Sequence, residues 1–138
     1  MALILGDVYR ETKQQFQLRL VAGETGLGNV LKWVSVVEDA STFGFLRGGE
    51  LLLTTGVVLC NQPGGLIHFL RRAVSRGTCG MIVNIGKYIG TENITQEVID
   101  FCEEQQYPLF LLPWHIPFYD FTWEYYNRIF LDSRRNEE

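Results

Sequence analysis

The sequence has 138 residues, 46% of them hydrophobic and 20% charged, with a formal net charge of −4. These values fit one globular domain with its own core and exclude the polar composition of disordered chains. The longest basic runs are only two residues long, at Arg71–Arg72 and Arg134–Arg135. Because a DNA-binding surface needs clustered positive charge, we expect this segment not to bind DNA by itself.

Membrane, disulfide and metal signals are weak. No apolar run approaches the roughly 20 residues that span a bilayer, and the apolar opening is too short for a signal peptide. Cys60, Cys79 and Cys102 are odd in number and lack metal-binding spacing,. We therefore expect buried, reduced thiols in a cytoplasmic protein, with no membrane contact, no metal and no cofactor.

The first third of the chain is predicted to be largely irregular. It contains two short strand candidates, Leu18–Ala22 and Val30–Val37, with a Gly- and Asn-rich turn between them,. A short helical stretch is expected from Glu38 to Leu46, and Arg47–Gly49 ends it.

A regular alternation of elements follows. Unbroken apolar strands are predicted at Glu50–Gly56, Cys79–Gly86 and Tyr107–Pro113, with amphipathic helices at Gly65–Arg76 and Thr95–Gln106 between them,. Such alternation indicates βαβ units. The predicted fold class is α/β, with a small parallel or mixed sheet covered by helices on both faces.

The last predicted element is a helix over 118–135 with two aromatic stripes. One stripe contains Phe118, Thr122, Tyr125 and Ile129, and the other contains Tyr119, Trp123, Tyr126 and Phe130. One stripe can pack on the domain, whereas the second would expose a large apolar surface. We expect Trp123, Tyr126 and Phe130 to contact a second copy, in a homodimer, or a following domain.

Polar residues follow each buried strand, where ligands bind in open parallel sheets. The candidate ligand-binding residues at these ends are Thr54, Thr55, Gly56, Asn84, Gly86, Lys87 and Trp114. The turn before the first of these strands adds Arg47 and Glu50, whose charges could reach over a ligand. The alternative for that turn is a tight connection with an Arg–Glu surface pair.

Catalytic patterns are absent from the sequence. It has no GxSxG, P-loop or HExxH motif, and His68 and His115 have no spaced partner,. Thr54 and Thr55 have no evident activating base nearby. We therefore expect no enzyme activity.

Four stretches together resemble the N-terminal domain of the purine catabolism regulator (PucR-like) family. They are LRLVAGETGLGNVLKWVSVVED, LRGGELLLTTG, RGTCGMIVNIGKYI and EEQQYPLFLLPWHIPFYDF. The most specific segment is Gly48–Gly56, which is a near-complete instance of the family signature. The resemblance covers Leu18 to Phe121 and matches the opening residues more loosely.

The resemblance implies a bacterial transcription regulator whose first domain precedes a middle region and a C-terminal helix-turn-helix. The chain would then be one regulatory domain over 1–138, with 118–138 leading to downstream domains that are absent here and that alone contact DNA. Such a domain is expected to sense a small-molecule effector, although the family name does not identify it. The competing hypotheses are a dimerisation module without a ligand and, with least support, a small enzyme.

Overall fold

The computed structural model describes the backbone of residues 2–137 and the side chains of residues 2–133. The helices are α1 (Leu5–Phe16), α2 (Gly65–Ser75), α3 (Gln96–Glu104) and α4 (Phe118–Glu137). The strands are β1 (Arg19–Ala22), β2 (Trp33–Val36), β3 (Glu50–Thr54), β4 (Gly80–Ile85) and β5 (Leu109–Pro113). Short 3-10 turns connect them, the longest at Ala40–Phe45. The side chains of Arg134 and Arg135 lie outside the described residues.

The strands form one mixed sheet in the order β1-β5-β4-β3-β2. Strands β2 to β5 are parallel, and β1 pairs antiparallel with β5 at one edge. The central strands are buried on both faces, which explains their unbroken apolar sequences,. The predicted α/β class and its βαβ units are confirmed.

Two helices cover each face of the sheet. Helices α2 and α3 share one face because the strand order advances steadily from β3 to β5 and right-handed crossovers then fall on the same side. Their core includes Leu52, Met81 and Leu111. Helices α1 and α4 cover the other face, where the core includes Ile82 and Phe110. The result is a three-layer domain.

The expected irregular first third is wrong for Leu5–Phe16, which form α1. The helix buries a sparse stripe of Leu5, Val8, Thr12 and Phe16, and its remaining positions are largely polar. Their spacing of three, four and four residues is that of one helical face, so the sequence carried a pattern that the prediction overlooked,. Packing of this face against the sheet and α4 stabilises the helix.

The C-terminal helix forms as expected, but its predicted stripes are only partly right. Phe121, which belongs to neither stripe, is fully buried together with Tyr125. Tyr126, assigned to the outer stripe, is partly buried and donates its hydroxyl to the Val34 carbonyl at 2.6 Å. The helix is rotated so that Phe121 and Tyr125 face the sheet, which leaves Trp123 and Phe130 exposed.

The three cysteines are free thiols. Cys79 and Cys102 are buried as predicted, whereas Cys60 is only partly buried because it lies in the turn Leu59–Asn61. No helix in the described part of the chain is long and apolar enough to cross a membrane.

Candidate functional site

The nine predicted ligand-binding residues fall in three separate places. Arg47 and Glu50 lie at the amino end of β3, and Thr54, Thr55 and Gly56 lie at or just after its carboxyl end. The remaining four lie at the carboxyl ends of β4 and β5: Asn84, Gly86, Lys87 and Trp114. They cannot all contact one small molecule, because β3 separates the first pair from the rest.

The Arg47–Glu50 turn is closed by its own carboxylate. Buried Glu50 accepts hydrogen bonds from the backbone N–H groups of Arg47 at 2.7 Å and Gly48 at 2.8 Å. Gly48 and Gly49 have φ of 101° and 83°, values that L side chains rarely adopt,. The glycines therefore allow the turn. The Glu50 carboxylate stabilises it by binding the N–H groups of the turn backbone and not the Arg47 guanidinium.

An open groove of about 580 Å³ runs beside this turn, along the outer side of β2. Its walls include Lys32, Trp33, Val36, Phe45 and Arg47. This groove was not predicted from the sequence. A strand pattern such as VLKWVSVV is the same whether the strand is central or at an edge, and only the sheet order places β2 at the edge.

At the other end of β3 the predicted threonines contact Glu38. The Thr54 hydroxyl and the Thr55 backbone N–H donate to Glu38 Oε1 at 2.6 Å and 2.7 Å, and the Thr55 hydroxyl donates to Oε2. Gly56 has a φ of 78°, and a Cβ there would meet Ile89 at 2.1 Å. Sequence reasoning missed Glu38, although it follows a predicted strand as the other candidates do.

At the third place a side chain of β4 is hydrogen-bonded to the backbone of β5. The Asn84 side-chain amide donates to the carbonyls of Leu112 and Pro113, both at 3.0 Å. Gly86 has a φ of 128°, and a Cβ there would lie 3.2 Å from the Trp114 Cβ. Asn84 and Gly86 therefore set the spacing of the two strand ends and the position of Trp114.

A cation lies beside two aromatic rings at these ends. The Lys87 ammonium is 5.4 Å from the Tyr88 ring centroid and 5.5 Å from that of Trp114. The two rings meet edge to face at 5.8 Å. A cation at this distance is attracted to the negative face of an aromatic ring. Lys87, Tyr88 and Trp114 are all partly open to solvent.

The loops at this place lead to opposite faces of the sheet. The loop after β4 leads to α3, and the loop after β5 leads to α4, which covers the other face. A crevice opens where neighbouring loops diverge in this way. Next to it lies a cavity of about 270 Å³ lined by Gln17, Arg19, Ile85, Leu111, Pro113 and Trp114. We call the site formed by Arg19, Lys87, Tyr88 and Trp114 the β4–β5 crevice.

Two of its residues were missed in the sequence. Tyr88 follows Lys87 in the loop after β4, so the rule that selected Lys87 could have found it. Arg19 comes from β1, which is distant in sequence and reaches the site because it pairs antiparallel with β5.

Most of the titratable groups with shifted pKa values lie in the core. Burial is the main reason that the pKa of the Cys79 and Cys102 thiols rises to about 12. Burial also raises the pKa of Tyr107, against a side-chain hydrogen bond with Thr78 that lowers it. A thiol with a raised pKa stays protonated and is a poor nucleophile. Among the residues that the structure describes, no group of three or more His, Cys, Asp or Glu residues could hold a metal.

The fold and its polar strand ends define a small three-layer α/β domain with an open sheet. The model of the Purine catabolism regulatory protein-like family matches residues 7–129. The chain belongs to this family, as the resemblance predicted, and the family supports a regulatory role.

A curated relative agrees with this assignment. The chain is 30% identical over 118 residues to the "Purine catabolism regulatory protein" of Bacillus subtilis (strain 168). The match covers 86% of this chain and 22% of that protein. The chain therefore spans about a fifth of the length of this relative.

Proposed function

We propose that this chain is a regulatory domain of a bacterial transcription regulator that binds a small metabolite in the β4–β5 crevice. The observation that carries the proposal is the Lys87 ammonium beside the contacting rings of Tyr88 and Trp114, where two loops diverge at the strand ends. DNA would be contacted through other regions of the regulator. The proposal assigns no catalysis to this domain.

The side chains of the crevice favour a planar anion. The exposed parts of Trp114 and Tyr88 offer ring surfaces on which a flat molecule can stack,. Lys87 lies near the Trp114 ring and Arg19 lines the neighbouring cavity, and these two exposed cations would neutralise a negative group,. Thr54 and Thr55 are left out of the proposal because Glu38 already binds their hydroxyls.

The same crevice offers a route for a signal. Trp114 lies directly after β5, and only three residues separate it from Phe118, the first residue of α4. A ligand that moves Trp114 would therefore also shift the first residues of α4. Regulation requires that the ligand bind one conformation more tightly than the other.

Thermal shift and calorimetry on the 138-residue chain test the proposal, using purines, ureides, amino acids and sugar acids as separate classes. One class should stabilise the chain, by about 2.7 kcal/mol at 100 times its dissociation constant. Trp114→Ala and Lys87→Ala should abolish this shift. Trp123→Ala, which removes an exposed tryptophan of α4, should keep it. The proposal fails if no class stabilises the chain or if Trp114→Ala binds normally.

A second candidate function is an interaction module without a ligand. Trp123 and Phe130 on α4 are 61% and 53% exposed. Exposed apolar surface of this kind marks protein contacts. If α4 carries the contact, Trp123→Ser with Phe130→Ser should lower the self-association of the chain in sedimentation velocity, and Trp114→Ala should not. Equal sedimentation of all these chains would remove this candidate.

A further inference from the structure

The groove along the outer side of β2 has apolar walls on two different elements. We call it the β2 groove, and its walls include Lys32, Trp33, Val36, Phe45 and Arg47. Trp33 and Val36 belong to β2, whereas Phe45 ends the 3-10 turn across the groove. All three apolar side chains are exposed, Phe45 by 86%. The volume of about 580 Å³ lies within the range of roughly 300–1,000 Å³ that is usual for small-molecule sites,.

Both walls of the β2 groove are held in place by the fold. The Trp33 ring packs against Tyr126 of α4, with 4.7 Å between the ring centroids. The opposite turn is anchored by buried Phe43, which packs on α2, and by the Arg76 guanidinium, which donates to the Leu46 carbonyl at 2.9 Å. Because the walls are preformed, little of the binding free energy of a ligand would be lost in ordering them.

Two cations lie at one end of the groove. Lys32 directly precedes β2 and Arg47 precedes β3, so both stand at the amino ends of these parallel strands. Both are exposed, and among the described residues neither charged group forms an ion pair or a hydrogen bond. The Glu50 carboxylate lies at the same end, but its two oxygens accept backbone N–H groups of the turn. The two cations are therefore available to an anion.

The other end of β2 carries negative charge. Glu38 and Asp39 follow the strand there. An anionic head would be attracted to Lys32 and Arg47 and repelled from the acidic end. Between the two ends, the groove follows the four residues of β2 over roughly 13 Å,. A ligand with one anionic head and an elongated apolar body matches this pattern.

We propose that the β2 groove binds an aliphatic carboxylate of medium chain length. The carboxylate would lie at Lys32 and Arg47, where a guanidinium can donate two parallel hydrogen bonds to it. The chain would lie between Trp33 and Phe45 and cover their exposed apolar surface. This site does not depend on the β4–β5 crevice, since β3 lies between β2 and the strands of that crevice.

Fluorine NMR of the 138-residue chain labelled with fluorotryptophan tests the proposal, because the three tryptophans lie on three different surfaces. Trp33 reports on the β2 groove, Trp114 on the β4–β5 crevice and Trp123 on the exposed face of α4. Octanoate should shift the Trp33 signal and leave the other two in place. The proposal is overturned by a shift confined to Trp114 or Trp123, by an equal shift of all three signals, or by no shift below the concentration at which octanoate forms micelles.

The role of charge is tested with a second probe and with matched variants. Octylamine, a cation of the same chain length, should bind at least about tenfold more weakly than octanoate. Lys32→Gln with Arg47→Gln should weaken octanoate binding at least about tenfold, since the carboxylate loses both partners. Arg71→Gln with Arg72→Gln removes the same charge from exposed positions of α2 and should bind octanoate as the wild type does. Equal binding of the two probes, or equal affinity of the two double variants, contradicts the proposal.

The apolar wall is tested by Phe45→Ser, which should also weaken octanoate binding. Tyr119→Ser is the control, since Tyr119 is an exposed ring at the start of α4. Neither ring belongs to the core, so both variants should unfold at the temperature of the wild type. Normal octanoate binding by a folded Phe45→Ser chain would refute the proposed position of the ligand chain. Thermal shift with the crevice ligand should be unchanged in all these variants, so the two proposals can fail separately.

Discussion

The carboxylate of Glu38 accepts a hydrogen bond from the buried hydroxyl of Thr54 at 2.6 Å and so joins the segment after β2 to the end of β3. The same Thr54 hydroxyl oxygen accepts the backbone N–H of Gly56 at 3.1 Å. One threonine side chain therefore connects a carboxylate to a turn that only glycine accommodates easily. This contact makes the carboxyl end of β3 a structural junction.

Removal of the Thr54 hydroxyl should destabilise the fold. Thr54→Val keeps the volume of the side chain but leaves both Glu38 and the Gly56 N–H without this partner. We expect a loss of about 1–3 kcal/mol in the free energy of unfolding, measured by urea denaturation. Thr91→Val, at an exposed position, is the control. A double-mutant cycle with Glu38→Ala should show a coupling of about 0.5–3 kcal/mol. Strictly additive losses would contradict the contact.

Secondary structure could be predicted from the sequence where the buried residues form a regular pattern of apolar positions. The strands β3, β4 and β5 and the helices α2 and α3 could be predicted because each is an unbroken apolar run or a clear amphipathic stripe. Helix α1 was missed, although Leu5, Val8, Thr12 and Phe16 recur at helical spacing and its other positions are largely polar,. Its contacts with the sheet and α4 come from the tertiary structure.

The candidate site was harder to predict because side-chain partners come from distant strands. Thr54, Thr55, Gly56 and Asn84 were chosen for their position at strand ends, and that position is right. The sequence could not show that Glu38 binds the threonines. Nor could it show that Arg19 lines the same cavity as Trp114, since that depends on the antiparallel β1.

Substitution by alanine should change the stability of the fold at Gly49 but not at Gly28. Gly49 has a φ of 83°, and a Cβ there would lie 2.7 Å from the Lys32 side chain. Gly49→Ala should therefore lower the free energy of unfolding by about 1–3 kcal/mol. Gly28 has open space around it and no left-handed φ, so Gly28→Ala should be neutral or slightly stabilising,. Urea denaturation of both variants measures the difference. Equal stability would show that the turn at Gly49 is not strained by a side chain.

The hydrogen bond between Thr12 and Tyr125 should anchor α1 to α4. The two hydroxyl oxygens are 2.9 Å apart and buried. Tyr125→Phe removes one partner at almost constant volume, and we expect a loss of about 1 kcal/mol in unfolding free energy. Tyr119→Phe, at an exposed position on the same helix, should change the stability little. Hydrogen exchange should also show faster opening of α1 in Tyr125→Phe. Unchanged exchange in α1 would mean that apolar packing alone holds this helix.

The buried thiols should make the fold less stable in alkali. Burial raises the pKa of Cys79 and Cys102 from 9.0 to about 12. Well below pH 9 both thiols are protonated whether the chain is folded or unfolded, so their contribution to stability is complete. As the pH rises from 9 towards 12, the unfolded chain releases protons that the folded chain keeps, and the free energy of unfolding falls.

Urea denaturation under reducing conditions between pH 8 and 10 measures this fall in unfolding free energy with pH, before the buried tyrosines contribute fully. Cys79→Ala and Cys102→Ala should each reduce the slope, even though they lower the stability at pH 8, whereas Cys60→Ala at a partly exposed position should keep it. A slope identical in all four chains would show that the alkaline loss does not come from the buried thiols.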